Sequence, residues 1–309
     1  MPTTLKKATE ANDLKSIIEL RRNFSINKKS FRTDEFDVYP ETINLSISHN
    51  GLLFGTARSI KIDQSTKHFH KIYSYQESIL NLKKATSGID LVCLKESKWN
   101  LSFLYQAILK QFVFQHFYQQ TSYLLVNIPT NCISALDNFE YSKLETNEIS
   151  YGNFSFFPII LDVEKSYEKI IAHFQNQDIL SLQENLKFKL FYPGEVLMYQ
   201  GERGHCAYMI DQGDVEVYLD VGENFIQVAS MSNGELIGEV AMLTNEKRSA
   251  SIICQKPTIA LTFERSSFME TLYQTPERIG EVFQIFSHRL AVANSQIIKL
   301  KEKVKMYEK

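Results

Sequence analysis

The 309-residue sequence is poor in cysteine, nearly neutral, without a long apolar run and, over its first half, sparing with glycine. Each shortage excludes something. The four cysteines, Cys93, Cys132, Cys206 and Cys254, stand far apart, so neither a disulfide frame nor a zinc site is legible. They read as reduced core residues of a cytoplasmic protein. A formal net charge of -2 supplies no electrostatic attraction to nucleic acid or to an anionic membrane. The opening "MPTTLKKATEANDLKSIIEL" has no apolar core of a signal peptide. The stretch "FVFQHFYQQTSYLLVNIPTN" is broken by Gln, Asn and Pro and is too polar to span a bilayer. His68 and His70 in "KHFHK" read as part of a basic, solvent-facing loop, and no metal is expected there.

What is present divides the chain. Its length and 44% hydrophobic content suffice for two domains with a core each. Seven of the 12 glycines (194, 201, 204, 213, 222, 234 and 238) fall between residues 194 and 238. Dense glycine between short apolar stretches predicts tight turns in a β-barrel or jelly roll. "EVLMYQGE", "AYMIDQGDVEVYLD", "FIQVASMS", "SASIICQ" and "TIALTFE" supply its strands. The first half instead predicts a mixed α/β domain over 1–163. Its order is an amphipathic helix from "EANDLKSIIEL", a hairpin around His49-Asn50-Gly51 and a strand "GIDLVCLKE". A helix "NLSFLYQAILKQFVFQHFYQ", a strand "SYLLVNI", a short helix near 131–138 and a strand "FSFFPIILDV" complete it. Residues 164–275 then hold helical entry segments and the barrel. In 276–309, Ile279, Phe283, Phe286, Leu290, Ala293, Ile297, Leu300, Val304 and Tyr307 alternate steps of four and three. That heptad seam predicts a long helix that pairs with a second copy, the other outcome being a helix laid on its own barrel.

"NGELIGEVAMLTNEKRSASIICQ", residues 233–255, places one glutamate, Glu239, and one arginine, Arg248, in apolar surroundings. A helix starting after the Gly238 turn aims its first N–H groups, those of Val240 and Ala241 among them, at one space. Arg248 adds a planar fork of donors suited to a phosphate, and Ser249 a hydroxyl. Glu239 is repelled by a phosphate but can accept from a sugar hydroxyl beside it. The combination suits a nucleotide. "GEVAMLTNEKRSASI" resembles the phosphate-binding cassette of cyclic nucleotide-binding domains, found in bacterial cAMP receptor proteins and in kinase regulatory subunits. "FYPGEVLMYQGE" and "AYMIDQGDVEVYL" resemble that family's entry strands, and the resemblance covers about residues 170–300. It implies that Gly238 and Glu239 line the ribose and that Arg248 and Ser249 hold the cyclic phosphate. The tail "HRLAVANSQIIKL" resembles the helix after this domain in cAMP receptor proteins, where a Thr-Ser pair meets adenine. Ala293 and Asn294 stand at those positions, and Asn294 can reach the base through its amide. Ser249 beside the arginine favours cAMP, with cGMP and a cyclic dinucleotide left open. No helix-turn-helix follows in the sequence, so DNA binding is not expected.

The N-terminal order of elements resembles the GNAT acyltransferase fold, and more narrowly the autoinducer-synthase and N-acyl amino acid synthase branch. Arg22 with Phe24, the acidic residues Asp34, Glu35 and Asp37, Gly55 and Arg58 of "GTAR", and Glu96-Ser97-Lys98 follow that branch's order. The resemblance implies an acyl-CoA or acyl carrier protein donor, held by Lys95, Lys98 and the helix start at Asn100, with Glu96 as the base that deprotonates an amine. The sequence also departs from the pattern. "KESKWNLSFL" lacks the glycines of the usual pyrophosphate loop, Ser134 stands where a general-acid tyrosine is frequent, and Lys98 replaces an arginine. Two functions therefore stay open. One is acyl transfer to an amine under nucleotide control, and the other is a non-catalytic sensor whose first domain binds a partner. The fold class expected is α+β: a GNAT-like domain, a cyclic nucleotide-binding jelly roll with flanking helices, and a long C-terminal helix that makes a homodimer.

Overall fold

The computed structural model describes residues 2–8, 11–23, 42–62, 86–94, 99–144, 149–151, 154–172, 174, 187–222 and 224–274, with scattered positions from 276 to 295. The chain opens with β1 (Thr3–Lys7) and α1 (Ala11–Asn23). The hairpin of β2 (Ile43–His49) and β3 (Leu52–Lys61) turns at Asn50-Gly51, whose φ values of 52° and 76° are those of a primed two-residue turn. Then come β4 (Thr86–Leu94), α2 (Leu101–Tyr118), β5 (Tyr123–Pro129) and a 3-10 segment (Thr130–Leu136). β6 (Tyr141–Lys143), β7 (Ile149–Tyr151), β8 (Phe154–Asp162) and α3 (Val163–Ile171) end this half.

Its strands lie in the order β1-β2-β3-β4-β5-β8-β6, with β7 also on β8. Among the described pairs only β4–β5 is parallel, and α2 is the crossover that a parallel pair requires. This ladder is short. It runs from Thr86↔Tyr123 to Ile89↔Val126 and stops. β4 continues to Leu94 paired only with β3, and β5 continues to Pro129 paired with β8. Beyond Ile89 and Val126 the two strands share no ladder.

The second half contains β9 (Lys187–Phe191), β10 (Val196–Met198), β11 (Cys206–Gln212), β12 (Val215–Asp220), β13 (Phe225–Met231) and β14 (Leu236–Ile237). α4 (Glu239–Thr244), β15 (Ser251–Cys254), β16 (Thr258–Glu264) and α5 (Arg265–Gln274) follow. Sheets β14-β11-β16-β9 and β10-β15-β12-β13 enclose a core of Phe191, Leu197, Met198, Tyr208, Ile210, Val215, Ile237 and Ile252. Along β11 every second residue, Tyr208 and Ile210, enters this core, while Ala207 and Met209 enter a second one on the other face.

That second core crosses the whole chain. β9 pairs with β1 (Thr3↔Leu190, Thr4↔Lys189), so the barrel sheet and the N-terminal sheet are one 12-stranded sheet. α2 packs beneath it, and Leu104, Ile108 and Phe112 share a core with Phe188, Leu190, Met209 and Leu261. A helix buried around most of its circumference is apolar nearly all round, which is why "SFLYQAILKQFVFQHF" carries so little charge. No described helix is long and apolar enough to cross a membrane. Of the heptad seam, Ile279 and Phe283 are described, and both are exposed (41% and 67%). Positions 286, 290, 293, 297, 300, 304 and 307 lie outside the described residues.

Candidate functional site

The stretch with one glutamate and one arginine folds into a short helix after a tight turn, as its glycines predict. Gly238 precedes α4 with φ 77°, in the left-handed region. A Cβ there would also lie 2.5 Å from Arg248 Nη1 and 2.6 Å from Met198 Cε. Position 238 thus needs glycine for its backbone and for the space its hydrogen leaves. The first N–H to reach back into the helix is that of Met242, to Gly238 O (3.2 Å), so the first-turn amides precede any intrahelical acceptor. Asn245, at φ 59°, ends the helix and turns the chain toward Arg248.

The backbone of Arg248 is fixed on both sides: its N–H donates to Glu202 O (2.7 Å) and its carbonyl accepts from Gly201 N–H (2.9 Å). Its side chain runs inward, and the residue is 6% exposed. Nη1 donates to Gly238 O (2.6 Å) and Nη2 to Cys206 O, with Cys206 Sγ 3.8 Å away. Glu239, 7% exposed, is not among its partners. The two residues do not neutralise each other. A buried guanidinium supported by carbonyl dipoles alone keeps its full charge in a poorly solvated place, and an anion there is strongly favoured.

Of the other expected residues, three adjoin this pair in the chain. Ala241 is buried, and Val240 and Ser249 are exposed. Asn294 lies outside the described residues. Three neighbours were not singled out from the sequence: Cys206, Tyr208 and Lys189. Tyr208 sits two residues beyond Cys206 on the same face of β11. Burial first, then the adjacent thiol, push its phenol well above the ordinary range, so it stays a neutral hydroxyl. Lys189 Nζ lies 3.4 Å from Tyr208 Oη, and burial lowers its pKa. The alternation Cys206-x-Tyr208-x-Ile210 was the available signal for a shared face.

In the N-terminal half, Lys95, Glu96 and Lys98 lie outside the described residues, as do Phe24, Asp34, Glu35, Asp37, Ser97, His68 and His70. Asn100 is described, and its Oδ1 accepts from Phe103 N–H (3.3 Å) as the N-cap of α2. Arg58 is buried on β3, and Ser134 is exposed in the 3-10 segment. Arg21, adjacent to the expected Arg22, is the buried arginine of α1 and donates to Asn44 Oδ1 and Thr56 Oγ1 (3.0 Å each). Among the described residues no group of three or more His, Cys, Asp or Glu could hold a metal ion.

The family model of the cyclic nucleotide-binding domain matches residues 188–275. This segment is a cyclic nucleotide-binding domain, and it contains the whole cassette from Gly238 to Ser249. The chain is 25% identical over 142 residues to the cAMP-dependent protein kinase type II regulatory subunit of Drosophila melanogaster, covering 44% of this chain and 36% of that one. It is 30% identical over 99 residues to the acetyltransferase Pat of Mycolicibacterium smegmatis, covering 32% of this chain and 29% of that one. The similarity thus spans about a third of the length of these curated relatives. Among solved structures, the Thermus thermophilus catabolite activator protein is 25% identical with a TM-score of 0.35, over 40% of this chain and 57% of that one.

Proposed function

We propose that the protein is a cyclic nucleotide sensor, responding to cAMP, that controls acyl transfer to an amine by its N-terminal half. The observation that carries the sensor is Arg248, a buried cation resting on the carbonyls of Gly238 and Cys206 and not on Glu239. In this reading Arg248 and the Ser249 hydroxyl hold the cyclic phosphate, the Gly238, Val240 and Ala241 backbone lies against it, and Glu239 accepts from a ribose hydroxyl. Asn294 meets the base. The kinase regulatory subunit named for cAMP supports the ligand class, while cGMP and a cyclic dinucleotide are the competing ligands.

Acyl transfer is supported by the element order, by the one parallel pair among the described strands of the N-terminal sheet and by the early end of its ladder. Strand ends that share no ladder offer an extended chain their backbone edges, the geometry in which a donor's amide groups can be held. The relative named as an acetyltransferase also supports it. The donor, acyl-CoA or an acyl carrier protein, lies there with its phosphate toward Lys95, Lys98 and Asn100. Glu96 takes the amine proton as nitrogen attacks the thioester carbonyl; the C–N bond forms, the C–S bond breaks and the thiolate is protonated. The exposed Ile279 and Phe283 support a homodimer through residues 276–309, and the cytoplasm is the expected compartment.

The test is calorimetric titration with cAMP and, separately, cGMP, with Arg248→Ala as control. Micromolar binding of cAMP that the variant loses is expected, and no binding of either nucleotide would sink the sensor. One observation favours the non-catalytic reading: Asn100 already satisfies a first-turn amide of α2, where a donor phosphate would compete with it. Binding of acyl-CoA or acyl carrier protein separates the two, since a silent domain takes neither.

A further inference from the structure

The nucleotide cassette and α2 are joined by an unbroken series of bonded elements. Arg248 ties the Gly238 carbonyl, where α4 begins, to the Cys206 carbonyl, where β11 begins. β14, just before Gly238, pairs with β11 through Tyr208↔Ile237 and Met209↔Leu236. Farther along β11, Asp211 Oδ2 accepts from Lys110 Nζ on α2, and both side chains are fully buried. The adjacent Gln111 accepts the Phe188 N–H of β9 with Oε1 (3.0 Å), and Phe114 meets Phe188 edge to face at 5.3 Å. At the start of α2, Trp99 stacks on Tyr192 (4.0 Å between centroids), which follows β9, and its indole N–H donates to Thr3 Oγ1 on β1 (2.9 Å).

A buried ion pair is a sensitive link because its energy depends steeply on distance in a low dielectric. A close-packed core also resists gradual deformation and shifts between discrete arrangements. We propose that Lys110–Asp211 is the bond through which the nucleotide site acts on the N-terminal half. A phosphate drawing on the Arg248 donors changes the hold on the first residue of β11; Asp211 carries the change to Lys110 and so to α2. α2 begins shortly after the end of β4 that shares no ladder with β5, so its displacement alters that region. The proposal rests on the nucleotide reading above and names the route of its regulation.

Trp99 is the single tryptophan of the chain and sits at this joint, so intrinsic emission reports on one place. In the full-length protein, Trp99 emission is expected to change with cAMP along the calorimetric binding curve, together with hydrogen exchange of 101–118. Lys110→Met with Asp211→Leu replaces the pair by apolar groups, a change buried pairs often tolerate. That double variant is expected to bind cAMP within about threefold of wild type, since the pair lies outside the cassette, and to lose the Trp99 response. Asp211→Asn is the milder variant should the double one not fold, and is expected to weaken the response. A second arm needs no nucleotide: Arg248→Ala shifts Trp99 emission in the wild-type background and not in the double variant. Binding of cAMP with Trp99 and α2 exchange unmoved overturns the proposal, as does a full response in the double variant. If cAMP does not bind, the nucleotide reading falls and the second arm decides: a shift supports the link, and no shift overturns it.

Discussion

Of the basic side chains that this fold buries, Arg248, Lys110 and His116 are accommodated in three different ways. In the barrel, Arg248 rests on two backbone carbonyls and keeps its charge. At the joint between the halves, Lys110 is fully buried against the Asp211 carboxylate. In the N-terminal half, His116 is buried between Ser59 Oγ (2.8 Å to Nε2) and Thr121 Oγ1 (3.1 Å to Nδ1) and gives up its proton. Burial, reinforced by the charge of Lys7, lowers its pKa to about 3. The contrast separates roles. A cation held by dipoles can still receive an anion, a cation paired with a carboxylate can transmit but not bind, and a neutral imidazole only packs.

The joint should show the largest effect. Lys110→Ala leaves the Asp211 carboxylate buried without its lysine, and a loss of about 3–5 kcal/mol in unfolding free energy is expected by urea denaturation. Lys110→Met with Asp211→Leu should cost far less. Equal losses would mean that the charge left on Asp211 costs nothing beyond the packing lost with the lysine, and would break the comparison. Arg248→Ala removes one donor from the Cys206 carbonyl and one from the Gly238 carbonyl, which keeps the Met242 N–H, so its stability cost should be about 1–2 kcal/mol. Its effect on cAMP binding should be roughly a hundredfold, about 2.7 kcal/mol, because charge-assisted bonds to phosphate are lost. A stability loss without an affinity loss would reassign Arg248 to packing.

His116 sharpens the third case through pH. Its folded pKa is depressed, so above 6.5 neither state binds the proton and its contribution is complete. As pH falls below 6.5 toward about 3, the unfolded chain takes a proton that the folded one refuses, and stability declines. At about 1.4 kcal/mol per pH unit, the decline between pH 6.5 and 5 is roughly 2 kcal/mol. His116→Gln should flatten that part of the stability profile, and parallel profiles for the two proteins would show that the imidazole is protonated in the fold.

Legibility in the sequence followed the range of the forces involved. The hairpin at Asn50-Gly51, the glycine turns of the barrel and the helix after Gly238 are set within a few residues, and each was readable. Glu239 and Arg248 stood out as candidates because one short cassette carries both, and the fold buries the two side chains. The joint was not. "TTLKK" looks like a polar N-terminus, yet Thr3 and Leu5 are fully buried because β1 lies between β2 and β9, and the partner of Thr3 on β9 is Leu190. Lys110 looks like the exposed position of an apolar helix, and only a carboxylate 101 residues away makes its burial tolerable. Cys206 read as a plain core cysteine because its role lies in its carbonyl, which no side-chain pattern reveals.

The smallest expected effect tests Asn100, the proposed donor-binding residue that lies among the described residues. Asn100 was expected at an acyl-donor phosphate, and in the structure it caps α2. The two roles respond differently to charge. Asn100→Ala removes the cap and should cost about 1 kcal/mol in thermal or urea unfolding. Asn100→Asp keeps a good cap and adds a negative charge that suits a helix N-terminus, so stability should be unchanged or slightly higher. A donor phosphate at the same place would be repelled by that charge. If Asp keeps stability and weakens acyl-CoA binding, Asn100 serves both helix and donor, and the N-terminal half has a receptive site as the barrel does. If Asp keeps stability and leaves acyl-CoA binding unchanged, the cap is its whole function and a donor must be held elsewhere.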